Sequence, residues 1–575
     1  MSRLLCLDPR TLKKVNRDVQ LQTASLLTHI SLYRTTMSSQ TGPQIVIIGA
    51  GSGGLSCAIA LKRKWGFTDF IIYEKSDEVG GTWRDNIYPG CSSDVPMSFY
   101  SLSTDLHNWK ESHGAQPDTY AYWVSLARKY DLYPTIRFNT KVLSATWDAT
   151  RRGYEIVVAD SRADGVQSTS FAPILISAIG VLEMPRFAEI PGLAAFKGEM
   201  FHSARWDSGV ALQKKRVGVV GNGASAYVPP FRAFFVPMIT KDPSVEVLQF
   251  CRTPHWLMPP IRKPYAKFRL ALNDRFPFLL RLARWWVYIR MELIFLCIFT
   301  NRFTRYLLTR LARAYIRYAA PEKYADKLIP TFTLGCKRII YDTGFLSALH
   351  RPNLDLNWDG IERIVEDGIV TKTGEHIKLD VLIFATGYSA DYYPFPVRGR
   401  TQTIQEYYEE SEGAKAYLGT TIPGFPNFFV ISGPNTITGH TSVIYTSEVQ
   451  IGHLMQLIKP ILDSAISSIE VRTAPTDAYN ATIHASIAAS VYTRCVSWYR
   501  VGGEGKVTNI FPRSATTFWW WLRRANFEHY IVEGKDADRF VSRRRNEGIL
   551  RKAALGVVVA LVVAGARALY SSWVS

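Results

Sequence analysis

The stretch Phe196–Asp207, FKGEMFHSARWD, joins two copies of the same local pattern. Before it, Ile45–Gly54 has the sequence IVIIGAGSGG, an apolar run that ends in glycines. After it, Val217–Ala226 repeats the run and the glycines as VGVVGNGASA. A strand followed by a glycine turn and a helix is typical of dinucleotide-binding units. The sequence therefore predicts an α/β fold with two Rossmann-like domains and two cofactors that must meet.

The first unit carries the pattern G-x-G-x-x-G, at Gly49, Gly51 and Gly54. Such glycines allow the tight turn, the approach of backbone to a pyrophosphate and the packing of helix on strand. We expect a strand at Gln44–Ile48 and a helix from about Gly53 to Trp65, with its N-terminus aimed at the phosphate. Glu74 ends the next strand, Phe70–Tyr73. A carboxylate there suits a free ribose 2′-hydroxyl, so this site fits FAD, or NAD.

The second unit has the turn G-x-G-x-x-A, formed by Gly221, Asn222, Gly223, Ala224, Ser225 and Ala226. Its following strand, Val245–Phe250, ends in Cys251-Arg252-Thr253 rather than in an acid. An arginine there can hold a 2′-phosphate bidentately. The predicted second nucleotide is therefore NADPH, bound by Arg252 and Thr253. The alternative is a surface arginine that follows a strand.

The composition limits the classes of protein that fit. The chain has 575 residues, 47% of them apolar, which predicts two or three globular domains. A net charge of +19 favours anionic partners such as cofactor phosphates or acidic lipid. No recognition module for nucleic acid is visible, so we expect no such partner. Seven scattered cysteines without C-x-x-C argue against a disulfide scaffold, a metal site or a dithiol centre, and favour a cytosol-facing location.

The joining segment fills the pattern F-x-G-x-x-x-H-x-x-x-W-[PD], with Phe196, Gly198, His202, Trp206 and Asp207. This pattern resembles the fingerprint of the Baeyer–Villiger monooxygenases, a branch of the class B flavin monooxygenases. The resemblance extends from about Gln44 to Tyr530. It implies that the segment couples movements of the two nucleotide domains. The alternative is a linker in which His202 makes only a structural hydrogen bond.

A second loop carries a similar resemblance. Gly80–Trp83 (GGTW) and the YPG-x-x-x-D run that ends at Asp94 resemble the second flavin-contacting loop of these enzymes. The resemblance implies that Asp94 lies near the isoalloxazine ring, although a turn or helix-cap acid is the alternative. The implied FAD contacts are Thr82, Trp83, Arg84, Asp85, Ser92, Ser93, Asp94 and Tyr100.

Two later segments complete the resemblance. In Leu334–Tyr341 (LGCKRIIY), it assigns Lys337 to the NADPH phosphate and Arg338 to the flavin face. Arg338 and Asp94 are then the catalytic candidates, with Asp94 positioning Arg338. The alternative is a buried arginine in a structural salt bridge. The run CVSWY resembles a segment that folds over the nicotinamide, which makes Trp498 a cofactor contact.

The resemblance implies an FAD- and NADPH-dependent monooxygenase. Such an enzyme inserts one oxygen of O2 next to a ketone carbonyl, through a flavin C4a-peroxide, and forms an ester or lactone. The expected substrate is an apolar ketone of secondary metabolism. An N- or S-oxygenating flavin monooxygenase and a hydroxylase on the same scaffold remain as alternatives. A catalytically silent, nucleotide-binding interaction protein is the alternative from another class.

The predicted domains are interleaved along the chain. An N-terminal extension, disordered or a transit peptide, precedes two discontinuous nucleotide-binding domains and a C-terminal apolar helix. The predicted bounds are 1–43 for the extension, 44–185 and 386–545 for the FAD domain, 186–254 and 331–385 for the NADPH domain, 255–330 for a helical insertion and 549–575 for the apolar helix.

Two regions of the sequence have features of segments that contact a membrane. Between Arg275 and Arg317 the insertion has nine arginines and one acid, interleaved with aromatic residues. We expect amphipathic core helices there, with a membrane-facing or apolar-substrate surface as the alternative.

Ala553–Ala566 is an uncharged apolar run that follows several basic residues. We expect it to anchor the enzyme to an internal membrane or to lie in its interface, with a soluble packing helix as the alternative.

Overall fold

The computed structural model describes residues 42–163, 165–222, 235–389, 391–547 and 564–565. The elements below belong to one compact unit, Gln44–Ser575. Almost all of the predicted N-terminal extension lies outside the described residues. So do nearly all of the predicted C-terminal helix and, in the second glycine turn, Gly223, Ala224, Ser225 and Ala226.

The strands of the described residues are short, as expected of buried parallel strands. In chain order they are β1 (Ile45–Ile48), β2 (Phe70–Tyr73), β3 (Ile136–Arg137), β4 (Thr140–Asp148), β5 (Gly153–Asp160), β6 (Gln167–Ala172), β7 (Ile174–Ser177), β8 (Met184–Pro185), β9 (Glu199–His202), β10 (Arg216–Val220), β11 (Glu246–Phe250), β12 (Leu257–Met258), β13 (Ile340–Tyr341), β14 (Leu354–Asn357), β15 (Ile361–Val365), β16 (Gly368–Thr371), β17 (His376–Lys378), β18 (Val381–Phe384), β19 (Tyr388–Ser389), β20 (Val397–Arg398), β21 (Phe428–Val430), β22 (Ile437–Thr438), β23 (Ser468–Val471), β24 (Ile510–Phe511) and β25 (Tyr530–Glu533).

The helices of the described residues lie between these strands. They are α1 (Ser52–Trp65), α2 (Thr82–Asp85), α3 (Gln116–Lys129), α4 (Phe235–Ile239), α5 (Lys267–Arg275), α6 (Phe278–Phe295), α7 (Arg302–Ala319), α8 (Glu322–Ala325), α9 (Phe345–Ala348), α10 (Ile404–Glu410), α11 (Val443–Leu462), α12 (Thr473–Ala488) and α13 (Ala515–Leu522), with a π-helical turn at Leu296–Thr300 between α6 and α7.

The first sheet has the strand order β21-β7-β1-β2-β3, and every pair in it is parallel. Its strands come from the two predicted parts of the FAD domain. All four residues of β1 are buried, and α1 packs against α11 beside them. Alternation of strand and helix forces the crossovers onto the faces of the sheet, which covers both sides. The expected strand, turn, helix and strand around the first glycine motif are all present.

The second sheet has the order β14-β11-β10-β18-β9 and is also parallel throughout. Its strands come from the predicted parts of the NADPH domain. The segment Phe196–Asp207 supplies its edge strand, because β9 pairs with β18. The predicted α/β fold with Rossmann-like sheets is therefore confirmed, whereas the domain boundaries stay a prediction.

The chain crosses between the two sheets twice, and the crossings are paired. On the way out it forms β8, and on the way back it forms β19. These two strands are antiparallel partners, with Tyr388 opposite Pro185 and Ser389 opposite Met184. Both passages of the chain between the two sheets therefore run through one two-stranded ribbon, which lies next to the fingerprint segment.

The predicted insertion is helical, but its packing differs from the expected core helices. Its inner face is buried, with Val287, Met291 and Phe295 on α6 and Ala312 and Ile316 on α7. Its outer face exposes many large apolar side chains. A helical pattern predicts that one face is covered but cannot show whether the opposite apolar face is covered too. Among the described residues, no helix is long and apolar enough to cross a membrane.

Candidate active site

The first glycine turn leaves no room for side chains. Gly49 has a φ of +100°, and a Cβ on it would lie 2.9 Å from the Ala178 carbonyl oxygen. A Cβ on Gly54 would lie 1.9 Å from the Gly49 carbonyl oxygen. The turn ends at the N-terminus of α1, where free backbone N–H groups favour an anion. This cradle fits the pyrophosphate of a dinucleotide.

Glu74 lies at the end of β2, beside the same turn. Its carboxylate is buried and accepts hydrogen bonds from the Ala50 nitrogen at 2.7 Å and the Ser76 nitrogen at 2.9 Å. The backbone therefore fixes a negative charge next to the glycine cradle. That placement agrees with the predicted ribose contact, which stays a prediction.

The GGTW loop packs directly on the first turn. Gly80 donates from its nitrogen to the Ala50 carbonyl at 3.0 Å, and the nearest atom to a Cβ on Gly51 would be the Gly81 Cα at 3.6 Å. Trp83 is buried and meets the Tyr100 ring edge-on, with 5.6 Å between ring centroids. The loop therefore closes one side of the cradle. Thr82 begins α2 at this point.

The other predicted FAD contacts are held in different ways. Arg84 forms ion pairs with Asp77 and Asp85, and Asp85 also lies 3.1 Å from Arg205. The Ser93 hydroxyl donates to the Val95 carbonyl at 3.0 Å, which gives it a structural role. Polar atoms that the fold leaves without a hydrogen bond fit a ligand better. Within the described residues, the buried Ser92 hydroxyl is such an atom.

Arg338 and Asp94 form a buried ion pair. The Arg338 Nη2 lies 2.6 Å from the Asp94 Oδ2, and both side chains are largely buried. Burial by itself lowers the pKa of Arg338, but the attraction of Asp94 outweighs it, so the pKa stays above its ordinary value. The Asp94 Oδ1 is buried without a hydrogen-bond partner among the described residues. The predicted pair therefore forms, and one carboxylate oxygen remains available to a ligand.

Several polar side chains near Arg338 were missed by sequence reasoning. Tyr492 and Tyr499 are buried, and in the described part of the chain their hydroxyls have no hydrogen-bond partner. Burial raises the pKa of Tyr499 to about 12, against the opposing effect of Arg338. His440 is buried and lies 3.3 Å from Glu292. Tyr492 and His440 occur in no motif that the sequence analysis used, and Tyr499 ends the CVSWY run without having been assigned a role, so only the fold shows that they lie near Arg338.

A cavity of about 760 Å³ lies at the predicted second nucleotide site. Both the second sheet and the later segments line it. The lining includes most of the predicted NADPH contacts, namely Gly221, Asn222, Arg252, Thr253, Lys337 and Trp498, together with Arg338. Two cations that sequence reasoning missed, Arg186 and Arg500, line it as well.

Arg252 and Lys337, which both line the cavity, repel each other. Burial, followed by the charge of Arg252, lowers the pKa of Lys337 to about 8. Within the described residues, neither side chain forms an ion pair with a carboxylate, and Lys337 instead lies over the Phe332 ring. Asn222 stabilises the loop, because its side chain donates to the Thr253 carbonyl at 2.9 Å. Uncompensated cations in a cavity fit a phosphate dianion.

A disulfide joins two segments of this cavity. Cys336 is bonded to Cys495, 159 residues further along the chain, with 6.1 Å between their Cα atoms. One partner precedes Lys337, and the other begins the CVSWY run. The argument against a disulfide scaffold did not predict this single pairing, because scattered positions give no sequence signal for a contact at this separation. The cytosol-facing location stays a prediction.

The fingerprint residues fix the edge of the second sheet. A Cβ on Gly198 would lie 2.4 Å from the Asp380 carbonyl oxygen and 2.6 Å from the Phe196 ring, so glycine is required there. Trp206 packs on Phe201 and Phe235. Asp207 is exposed and accepts from the Gly209 nitrogen at 2.8 Å, which closes a turn.

His202 sits where the two crossings meet. Its Nδ1 accepts from the Ala204 nitrogen at 3.1 Å, and its ring lies next to those of Phe187 and Tyr388. Burial, aided by the charge of Arg205, lowers the pKa of His202 to about 4, so the ring is neutral at pH 7. A neutral, packed histidine agrees with the structural alternative, while its place at the ribbon agrees with a coupling role.

Comparison with known proteins shows which family this chain resembles. Residues 47–113 match the NAD(P)-binding Rossmann-like domain family. A Baeyer–Villiger monooxygenase of Streptomyces coelicolor is 32% identical over 503 residues, which are 85% of this chain and 92% of that protein. The FAD-binding monooxygenase ktnD of Aspergillus niger is 30% identical over 564 residues, 93% of this chain and 90% of that protein.

Solved structures show the same architecture. A cyclohexanone monooxygenase from Rhodococcus sp. Phi1, bound to NADP+, has a TM-score of 0.75 at 25% identity. The match covers 86% of this chain and 100% of that one. The OTEMO complex with FAD and NADP has a TM-score of 0.74 at 24% identity, covering 85% and 99%. The resemblance in the sequence and the predicted enzyme class are confirmed: the chain belongs to the Baeyer–Villiger monooxygenases, which are FAD- and NADPH-dependent flavoproteins.

Proposed function

We propose that this enzyme inserts one atom of O2 next to the carbonyl of an apolar ketone, and that Arg338 stabilises the negative charge that develops during the reaction. The observation that carries the proposal is the buried Arg338–Asp94 pair, with unpartnered polar atoms around it. When bound, NADPH would supply the reducing equivalents and FAD would use them to activate O2. The residues of the chain bind, orient and shield them.

Arg338 has more N–H donors than its observed contacts use. Asp94 engages one of its nitrogens, and the second contact, from Nη1 to the Thr438 carbonyl, is long at 3.4 Å. A guanidinium carries five N–H groups. The remaining groups can therefore stabilise an oxyanion, an effect worth about 2.7–4 kcal/mol for one preorganised donor in a site that excludes water. Asp94 holds the guanidinium in place and keeps it charged.

The two nucleotide sites have complementary electrostatics for the two cofactors. On the first, Glu74 would accept from the hydroxyl groups of the FAD ribose beside the glycine cradle. On the second, Arg252 and Lys337 would hold the 2′-phosphate of NADPH. Trp498 and the backbone at Gly221 would flank the rest of that nucleotide. Arg338 lines the same cavity, so both cofactors would meet at its guanidinium.

An apolar substrate is supported by the walls around Arg338. Thr438, which accepts from Arg338, is followed by Gly439, where a Cβ would lie 2.5 Å from the Tyr492 hydroxyl and 3.0 Å from the Phe299 ring. Phe299 stacks on Phe295 and on Tyr492. Such an aromatic wall favours a hydrophobic ketone, and the tyrosine hydroxyls can donate to its carbonyl oxygen.

The test compares Arg338→Ala and Arg338→Lys with the unaltered enzyme. We expect both variants to retain FAD, measured as flavin absorbance per protein. We expect Arg338→Ala to lose ester formation from ketones by about a hundredfold or more, and Arg338→Lys to recover only part of it, because lysine lacks the planar fork.

Normal ester formation by Arg338→Ala would contradict the role of this residue. The unaltered enzyme is also offered amines and sulfides in place of ketones. Turnover of those substrates, with none of ketones, would replace ketone oxidation by oxidation at nitrogen or sulfur.

A further inference from the structure

The described residues expose 23 large apolar side chains, and 14 of them lie between Phe268 and Tyr318. That segment is a small part of a chain of 575 residues, so the exposed apolar surface is concentrated there. Scattered apolar residues on a surface are ordinary, but a concentrated set marks an interaction site. The segment comprises α5, α6, the π-helical turn and α7, and we call its outward side the insertion surface.

On α6 the exposed residues follow the helical repeat. Phe278, Leu282, Trp285 and Leu293 recur at intervals of three or four residues or their multiples, and each is 52–66% exposed. Residues at such spacing share one face of a helix. The buried residues of α6 lie on the opposite face. The helix is therefore apolar on two sides, and the described residues cover only one of them.

On α7 an apolar stripe runs beside a basic one. Phe303, Leu307, Leu311 and Tyr318 share one face and are 68%, 47%, 52% and 90% exposed. The arginines of the adjacent, exposed stripe are Arg302, Arg310, Arg313 and Arg317. Asn301 starts the helix, because its side chain accepts from the Phe303 and Thr304 nitrogens. An apolar stripe flanked by cations is typical of a helix that lies in a lipid interface.

The charge of the insertion surface has one sign. From Lys267 to Tyr318 the sequence has eleven Lys and Arg against two carboxylates, Asp274 and Glu292. Glu292 does not contribute to the outer face, because it is paired with His440 and accepts from the Ala515 nitrogen and the Thr516 hydroxyl. Arg317 contacts Asp326 at 3.3 Å. The other exposed arginines of α7 form no ion pair within the described residues.

We propose that the insertion surface docks on the headgroup region of an anionic lipid bilayer without spanning it. Apolar stripes would enter the boundary of headgroups and acyl chains, where tryptophan and tyrosine are favoured. The arginines would reach the lipid phosphates along their aliphatic stems. Charge complementarity selects this occupant over a second copy of the chain, since two copies would bring like-charged arginine stripes together.

The experiment uses the full-length enzyme with FAD bound and co-sedimentation with vesicles. We expect recovery with phosphatidylcholine vesicles that contain phosphatidylserine, less with phosphatidylcholine alone, and a fall as salt is raised. Two variants remove the proposed contacts: Trp285→Ser with Leu293→Ser, and Arg302→Ala with Arg310→Ala. Each should weaken binding to the anionic vesicles by about tenfold or more.

The matched control is Val166→Ser, which removes a side chain 65% exposed on the turn before β6 and should bind like the unaltered enzyme. Flavin absorbance per protein shows that each variant is folded. As a second measurement, lipids brominated near the headgroup should quench tryptophan emission of the unaltered enzyme more than that of Trp285→Phe with Trp286→Phe.

Two results would overturn the proposal. Binding that both double variants leave unchanged would place membrane contact elsewhere in the chain. Absence of vesicle binding, together with a dimer that the Trp285→Ser with Leu293→Ser variant dissociates, would make the insertion surface a contact between copies.

Discussion

The two nucleotide sites begin with the same backbone element and end with opposite charge. In the first, a glycine turn after β1 is followed by Glu74, whose carboxylate is fixed by backbone nitrogens. In the second, the turn after β10 is followed by Arg252, which shares its cavity with Lys337. Because the glycine motif serves phosphate binding in either kind of site, we expect the residue after the second strand to select the nucleotide.

The sites also differ in how much of the chain builds them. The glycine cradle and Glu74 lie within a single strand-helix-strand unit, from Ile45 to Glu74. The second cavity takes its walls from residues near 221, 252, 337 and 498, two of which are tied by the disulfide between Cys336 and Cys495. The first site is therefore rigid by local geometry, and the second depends on the assembly of distant segments.

The largest effect should come from filling the first cradle. Gly54→Ala places a methyl group 1.9 Å from the Gly49 carbonyl oxygen, where backbone cannot move without opening the turn. We expect loss of FAD and destabilisation of more than about 4 kcal/mol. Flavin content after purification and thermal unfolding measure both.

The matched control is Gly452→Ala, inside α11, where a Cβ would meet no atom within 4 Å. It should retain FAD and stabilise the protein by about 0.5–1 kcal/mol, because alanine favours a helix. A Gly54→Ala enzyme with full flavin content would show that the first site is not rigid.

The next effect separates the assembled site from the local one. Cys336→Ser with Cys495→Ser removes the cross-link between the segments of Lys337 and Trp498. We expect the free energy of unfolding to fall by about 2–4 kcal/mol. The KM for NADPH should rise while flavin content stays unchanged, because the glycine cradle and Glu74 lie in neither linked segment.

Cys57→Ser is the control, since Cys57 is a buried free cysteine in α1, away from both linked segments in the chain. Equal loss of flavin and of NADPH affinity in the double variant would mean that the cross-link supports the whole unit instead of the second site.

The difference between the sites also explains what the sequence could predict. Gly49, Gly54 and Glu74 lie close together in the chain, so their spacing carries the geometry. The pair of Arg338 and Asp94 came from the family resemblance, because no spacing rule connects positions so far apart. Tyr492 and His440 gave no signal, because only the fold brings them to Arg338. Tyr499, Cys336 and Cys495 lie in runs that the resemblance covers, but those runs did not show how these three residues contact the rest of the site.

The insertion shows a second limit of sequence reasoning. Its helices were predicted, but their packing was not, because α6 is apolar on two sides and a pattern cannot tell which side the protein covers. Exposure of Trp285 and Leu293 is a property of the assembled molecule.

The smallest effect concerns the charge of the second site. The pKa of Lys337 is lowered to about 8. The side chain of Lys337 therefore loses its positive charge as the pH rises through about 8, below the pH at which an ordinary lysine is deprotonated. The contribution of Lys337 to phosphate binding is thus present below that pH and lost above it. We expect the KM for NADPH to rise by up to about tenfold between pH 7 and pH 9, while the KM for NADH, which lacks the 2′-phosphate, stays level.

Two variants sharpen this prediction. Lys337→Arg should make the KM for NADPH independent of pH in this range, since a guanidinium stays protonated. Arg252→Ala should weaken NADPH binding at every pH and move the rise to higher pH, because Arg252 is one of the two causes that lower the pKa of Lys337. If the KM for NADH rose with pH as steeply, the titrating group would act on the shared part of the nucleotide, and the charge contrast between the two sites would not rest on Lys337.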